Sequence, residues 1–243
     1  MITGAAGGLG LAVTGLLAEK GWNCALVSRD ASRLDGLGRD SMLRIEADVS
    51  THDGAEAAVK ACADAWSAPP AALAHCAGAV LIQPLHGTSE QQYRECMRAN
   101  MDSAFFTLKA YLSALIKAKT EGAACLVSTV AAQIGIHRHE AVAAAKAGLE
   151  GLVRSAAAGY AARGIRVNAI APGLMRTPAT ERFFGGEKMI RQLDAQYPLG
   201  RHGRAEDGAL AMAWLLSEEA GWITGQVLPV DGGFTAVRPP VRT

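Results

Sequence analysis

The 243-residue sequence has little that would tie it to a membrane, a metal or a polyanion. Its apolar runs stop well short of the roughly 20 residues a bilayer-spanning helix needs. No charged and apolar leader comes ahead of the glycine-rich start, so no signal peptide is expected. Lys and Arg number 24 against 23 Asp and Glu, a net charge of +1. Without a basic block, the chain lacks the electrostatic footprint of a nucleic-acid or anionic-membrane binder. The five cysteines (Cys24, Cys62, Cys76, Cys96 and Cys125) are odd in number and stand among apolar residues without CxxC or Cys/His spacing. They read as reduced core thiols of a cytoplasmic protein, neither staples nor ligands. The six histidines show no ligand pattern either, so no metal is expected. Repeats and linkers are missing, and the one biased stretch is alanine-rich, at 140–163.

What is present is alternation. Half of the residues are hydrophobic, enough for a sizeable core. Short apolar runs at 23–28, 42–49, 71–78, 124–129, 165–172 and 226–233 read as strands. Most lack strict polar alternation, as strands covered on both faces do. Helical patterns lie between them, near 8–20, 53–66, 88–118, 140–163 and 204–217. TSEQ (88–91) offers a capping box for the long helix, and Asp30 a cap after the second run. The alternation predicts an α/β fold: a single-domain, Rossmann-type, doubly wound parallel sheet with helices on both faces. Only Met1 and Ile2 precede Thr3, against about five residues in a usual strand, so the first strand is expected to be truncated.

ITGAAGGLGLAVTGLLAEKG (2–21) turns through Gly4, Gly8 and Gly10 and continues as a helix. Gly4 suits a tight turn, Gly8 a close approach of backbone to a pyrophosphate, and Gly10 close packing of helix on strand. The helix N-terminus would favour the phosphate charge. At the end of the second strand a carboxylate normally grips a ribose 2′-hydroxyl. Here the chain reads VSRD: Ser28, then Arg29. Nothing at Ser28 repels a 2′-phosphate, and the Arg29 fork can clamp one. An ordinary surface arginine is the plain alternative. NADP(H) is the expected cofactor, with NAD(H) admissible.

With TGAAGGLG (3–10), ADV (47–49), HCAG (75–78), Asn100, STVAAQIG (128–135), Lys146, APG (171–173) and ITGQVLPVDGG (223–233), the chain resembles the short-chain dehydrogenase/reductase family over essentially its whole length. It looks most like the branch of 3-oxoacyl-carrier-protein reductases and tetrameric alcohol or ketone reductases. The resemblance implies about seven strands and hydride transfer between a nicotinamide and a carbonyl or alcohol, a carrier-bound acyl group among the candidates. It implies that Gly4, Gly8 and Gly10 form the pyrophosphate loop and that Asp48 and Val49 meet the adenine. Pro172, Gly173 and Thr177 would hold the nicotinamide and its carboxamide. Ala77 and Gly78 match the family's NNAG, from which His75 and Cys76 depart, and losing an amide there would soften the link between neighbouring strands. Asn100 falls at the long-helix asparagine that helps place a water near the catalytic lysine. A homotetramer is implied, or a tetramer mixed with an active homologue.

The family's catalytic set is a serine, a tyrosine thirteen residues on and a lysine four further on. Counting back from Lys146 gives Val142 at the tyrosine and Thr129 at the serine, with Ser128 as a second hydroxyl beside it. Lys146 is expected to hold nicotinamide-ribose hydroxyls. Valine has no proton to give. Three readings follow: an oxidoreductase whose proton comes from His137 or His139 or from a water near Asn100 and Lys146; a nucleotide-binding silent partner; or a reaction without net hydride transfer. Segment 178–197 is expected to form a lid, its Phe183 and Phe184 suiting an apolar substrate.

Overall fold

The computed structural model describes residues 1–39 and 41–238. Its strands are β1 (Ile2–Thr3), β2 (Ala25–Ser28), β3 (Leu43–Glu46), β4 (Ala72–His75), β5 (Gly122–Val127), β6 (Ile165–Pro172), β7 (Met175–Arg176), β8 (Gly203–Arg204) and β9 (Val227–Val230). Seven of them form a parallel sheet in the order β3-β2-β1-β4-β5-β6-β9, while β7 and β8 pair separately. The helices are α1 (Gly8–Glu19), α2 (His52–Trp66), α3 (Glu90–Met97), α4 (Ser103–Ala118), α5 (Glu140–Tyr160), α6 (Glu187–Asp194) and α7 (Ala205–Leu216).

The strands read as continuous apolar runs because both faces of the sheet are covered. Successive side chains point to opposite faces, and each face has its own core. Val27, Leu73, Leu126 and Val167 pack with Val59 of α2, Leu108 and Leu115 of α4, and Leu149 and Val153 of α5. Their neighbours Leu26, Ala74, Cys125 and Ile170 pack with Val13 and Leu17 of α1 and Met212 and Leu216 of α7. This is the single-domain Rossmann-type arrangement expected from the sequence.

The first strand is indeed short. Ile2 and Thr3 pair with Leu26 and Val27 on one side and Ala74 and His75 on the other. The chain then turns at Gly4, whose φ of +63° lies in the left-handed region, and a Cβ there would stand 2.7 Å from the Ala77 nitrogen. That close approach ends β1 against the end of β4. The sheet order reverses between β1 and β4, and the crevice beyond the strand ends at such a reversal is where open α/β sheets bind ligands.

Two local expectations are corrected. The helix predicted over 88–118 is interrupted by a π-helical turn, Arg98–Asp102. Such widened turns gather at functional sites, and this one carries Asn100. The capping box sits one residue later than TSEQ implied: Ser89 caps α3 and exchanges hydrogen bonds with Gln92, while the Thr88 hydroxyl donates to the Pro84 carbonyl.

The departure HCAG also has a structural outcome. The Ser103 hydroxyl donates to the Ala99 carbonyl (2.7 Å), so at the 3.3 Å contact with His75 Nε2 it accepts. His75 Nδ1 is then the acceptor for the Thr3 hydroxyl, 2.9 Å away. Burial first, and the Lys146 charge second, push this imidazole down to about 3. A neutral ring therefore ties β1, β4 and α4 together, so the link between neighbouring strands is kept by an imidazole.

Candidate active site

One cavity of about 670 Å³ opens along the C-terminal ends of the strands. Gly8, Gly10, Ala77, Gly78, Asn100, Thr129, Lys146, Pro172, Gly173 and Thr177 all line it. Gly4, Ser28, Arg29, Asp48 and Val49 do not. Gly4 lies beneath the turn, and the other four stand at the ends of β2 and β3, beyond the cavity rim.

The glycine-rich turn enters α1 through Gly7, and no side chain caps the first turn. Its free N–H groups are therefore available to an anion. A Cβ on Gly10 would lie 2.3 Å from the Gly4 carbonyl, so helix and turn touch directly. A Cβ on Gly8 would meet Thr177 at 2.7 Å, which brings the loop under the segment that follows β7.

Lys146 comes from the middle of α5 and is only 5% exposed. Its Nζ donates to the Val127 carbonyl at 2.7 Å, leaving two N–H groups. Burial pushes the ammonium down to about 8, an effect that the nearby Cys96 and Cys76 thiols oppose. Gly78 makes room for it, since a Cβ there would stand 3.4 Å from Nζ and 2.9 Å from Asn100 Oδ1. The Asn100 amide is largely committed to backbone. Nδ2 donates to the Ala79 and Cys96 carbonyls, both at 3.0 Å, and Oδ1 accepts from the Ala79 N–H at 3.2 Å. Asn100 thus locks the loop after β4 onto the π-helical turn and keeps one oxygen lone pair beside Lys146.

The two neighbouring hydroxyls differ. Ser128 donates to Glu150 Oε1 at 2.7 Å, a pairing the sequence did not reveal. Thr129 accepts from the Ala131 N–H at 3.3 Å and keeps its own proton. Val142 is 7% exposed, lines the cavity one helical turn before Lys146, and packs with Cys96 and Leu81. No phenol stands at that position. Tyr197, which sequence spacing to Lys146 could not flag, lines the same cavity. Its hydroxyl accepts the Leu174 N–H at 2.8 Å, and burial raises its pKa, which makes it a poor acid.

Beyond the cavity, at the end of β2, the Ser28 hydroxyl accepts from the Asp30 N–H (3.3 Å), and Asp30 caps the 3₁₀ turn Ala31–Leu34 through the Ser32 N–H. Arg29 is exposed beside it. Arg33 was not singled out in the sequence. Its guanidinium reaches 3.5 Å from the Ala6 carbonyl in the glycine-rich turn, so two cations flank this corner. For Asp48, partial burial works against the charged form, but the Ser50 hydroxyl and N–H outweigh it with help from Arg98 and Arg29. The carboxyl stays below its ordinary range.

The segment after β6 covers the cavity with Arg182, Phe183, Met189, Leu193 and Tyr197. It is fastened at several points. Arg176 pairs with Glu181 at 2.6 Å, and His202 Nδ1 meets Asp194 Oδ1 at 2.6 Å. Phe184 is turned away from the cavity onto His202, ring centroids 4.7 Å apart.

Comparison with known proteins agrees with this geometry. Residues 4–235 match the family model described as enoyl-(acyl carrier protein) reductase. The cis-4-hydroxycyclohexanecarboxylate dehydrogenase of Sinomonas cyclohexanicum is 34% identical, the match spanning 98% of this chain and 96% of that one. The 2,5-dichloro-2,5-cyclohexadiene-1,4-diol dehydrogenase of Sphingobium indicum is 31% identical over the same shares. A short-chain type dehydrogenase/reductase from Mycobacterium ulcerans superposes with a TM-score of 0.90 at 28% identity, covering 98% of this chain and 90% of that one. The chain belongs to the short-chain dehydrogenase/reductase family, a family of oxidoreductases acting on CH–OH groups with a nicotinamide acceptor. It differs from the family pattern in having no tyrosine at the expected place on α5. None of its described helices is long and apolar enough to cross a membrane.

Proposed function

We propose that the protein interconverts a ketone and a secondary alcohol with NADP(H), without a phenol as proton donor. The observation that carries this reading is a continuous cavity lined by the glycine-rich turn, Lys146, Thr129 and a set of apolar side chains. A dinucleotide fits the residues present. The uncapped first turn of α1, with Gly8 and Gly10, would meet the pyrophosphate, and Gly4 shapes that turn. Asp48 and Val49 would meet the adenine. The two free N–H groups of Lys146 would hold ribose hydroxyls, and Ala77, Gly78, Pro172, Gly173 and Thr177 would enclose the nicotinamide. The bound cofactor supplies the hydride. Thr129 donates a hydrogen bond to the substrate oxygen and fixes the carbonyl, while Asn100 keeps the wall beside Lys146 rigid. Segment 178–197 acts as the lid. Its apolar lining suits an alicyclic or acyl substrate, and the two cyclic-alcohol dehydrogenases among the relatives support the first. The acyl-carrier description of the matched family supports a carrier-bound acyl group as the second.

NADP(H) is the preferred cofactor, because no carboxylate stands at Ser28 and both Arg29 and Arg33 can approach a 2′-phosphate. Cofactor fluorescence titration is expected to show tighter binding of NADPH than NADH, with Arg29→Ala shrinking the gap at least fivefold, about 1 kcal/mol for one exposed charge-assisted contact. Equal affinities in the unaltered protein would refute the preference.

We also propose a homotetramer. Phe105 on α4, and Leu210 with Trp214 on α7, leave apolar side chains exposed on two separate helix faces, which is what two distinct two-fold interfaces require. Light scattering at micromolar concentration should give four chains. A stable monomer would rule the assembly out.

A further inference from the structure

We propose that His139 is the general acid of this site, passing the proton on its Nε2 to the substrate oxygen as hydride reaches the carbonyl carbon. This rests on the oxidoreductase reading above and supplies the proton that Val142 cannot. Three observations lead to it. His139 lines the cavity, whereas His137, two residues earlier, is exposed and does not. His139 is the N-cap residue of α5, three positions before Val142. His139 and Val142 line the same cavity at the entry of α5, so a proton donor at His139 is on the side of the site where a phenol from position 142 would enter.

The third observation is the ring's orientation. Nδ1 lies 2.8 Å from the His137 carbonyl. A carbonyl only accepts, so Nδ1 carries a proton, and Nε2 is the nitrogen left to exchange one. Nε2 makes no hydrogen bond with any described residue. The brace spans Arg138, whose φ of +63° is a conformation that residues with a Cβ seldom adopt. That turn is pinned from outside, because the Gln83 N–H donates to the Arg138 carbonyl at 2.9 Å. A strained turn pinned by Gln83, carrying a cavity-lining ring with one nitrogen braced and the other unengaged, is an arrangement for positioning a group.

The titratable side chains sharing the cavity are Lys146 on α5, Arg182 and Tyr197 on the covering segment, and Cys76 after β4. Cys96 faces α5 from α3, and His137, Arg138 and Glu140 flank the turn. No carboxylate of the described residues lines the cavity to trap the imidazolium. The step balances. A bound reduced nicotinamide would supply the hydride, its C4–H electron pair becoming the new C–H bond. The carbonyl π pair takes the Nε2 proton, imidazolium becomes neutral imidazole, and water returns the proton. In the oxidation direction neutral Nε2 receives it.

The test has two parts. First, ¹⁵N NMR of the cofactor-free protein should show the neutral His139 ring protonated at Nδ1; a neutral ring protonated at Nε2 would overturn the brace. Second, single-turnover reduction of cyclohexanone-type substrates by NADPH should slow as pH rises, because a general acid must carry its proton. His139→Gln should lose at least about 100-fold at pH 6 and flatten that profile, with NADPH affinity unchanged. His137→Gln should behave as the unaltered protein. A His139→Gln protein that keeps its rate and its pH profile would overturn the assignment while leaving the oxidoreductase reading intact. An unaltered protein that binds NADPH and transfers no hydride would instead overturn that reading and His139's role with it.

Discussion

Replacing Lys146 with methionine is expected to reduce turnover at least about 100-fold while leaving the protein no less stable at pH 7. The loss follows from removing a fixed cation and two donors from the point where the proposed function puts cofactor and substrate, a change that commonly costs 10²–10³ in rate. The stability result follows from burial. Lys146 is nearly enclosed, and its ammonium is pushed down to about 8 from an ordinary 10.5. The folded-state pKa lies below the unfolded one, so the charge opposes folding at neutral pH, by up to about 3 kcal/mol. Methionine removes that opposition but leaves the Val127 carbonyl without its donor, which costs roughly 1–3 kcal/mol. The two changes nearly cancel. The sign can be checked by pH. Between about 8 and 10.5 the folded protein has released this proton and the unfolded chain has not, so Lys146 contributes a rise in stability with pH across that window. Denaturant titrations should show that contribution in the unaltered protein and lack it in Lys146→Met. A variant that unfolds more than 2 kcal/mol too easily would make Lys146 a structural brace for β5.

Restoring a phenol is the second large effect. Val142 and Lys146 lie on one face of α5, as residues four apart do, and the cavity lies directly in front of Val142. The native side chain packs with Cys96 and Leu81, so a tyrosine ring must leave that pocket and enter the cavity, at a cost of about 1–3 kcal/mol of stability. Its hydroxyl would then stand near Lys146 and Thr129. A phenol, with an ordinary pKa near 10, still holds its proton at pH 9. Val142→Tyr is therefore expected to raise the rate of NADPH-dependent ketone reduction at pH 9 at least tenfold, about 1.4 kcal/mol of barrier, with a smaller change at pH 6. Folded, NADPH-binding variant protein with unchanged rates at both pH values would place position 142 outside the chemistry.

The sheet was readable from the sequence because its strands are covered on both faces, which turns each into an unbroken apolar run. The glycine-rich turn was readable for a related reason: Gly4 and Gly10 stand where backbone approaches leave no space for a Cβ. The lack of a positioned tyrosine was readable once the family's serine–tyrosine–lysine pattern was laid on Lys146. What escaped depends on distances that sequence order does not encode. The π-helical turn at Asn100 leaves no hydrophobic signature, so 98–102 read as ordinary helix. Arg33 reaches the Ala6 carbonyl across 27 positions, and Glu150 takes the Ser128 hydroxyl from 22 away. Tyr197 lies far along the chain from Lys146 yet faces the same cavity, because the segment after β6 folds back over the strand ends. His137 and His139 looked equivalent in the sequence. The left-handed turn at Arg138 separates them, giving one to solvent and the other to the cavity wall.

Single-turnover transfer of deuterium decides most directly whether this site works without a tyrosine. NADPH carrying deuterium at both C4 positions of the reduced ring would be mixed with excess protein and a cyclic ketone, and the alcohol analysed by mass spectrometry. One deuterium on the carbinol carbon for each NADPH oxidised, in amounts matching the protein, is the expected result. Saturable NADPH binding with no deuterium in any alcohol, across cyclic ketones and acyl thioesters alike, would contradict it and leave the chain a cofactor-binding partner without chemistry of its own.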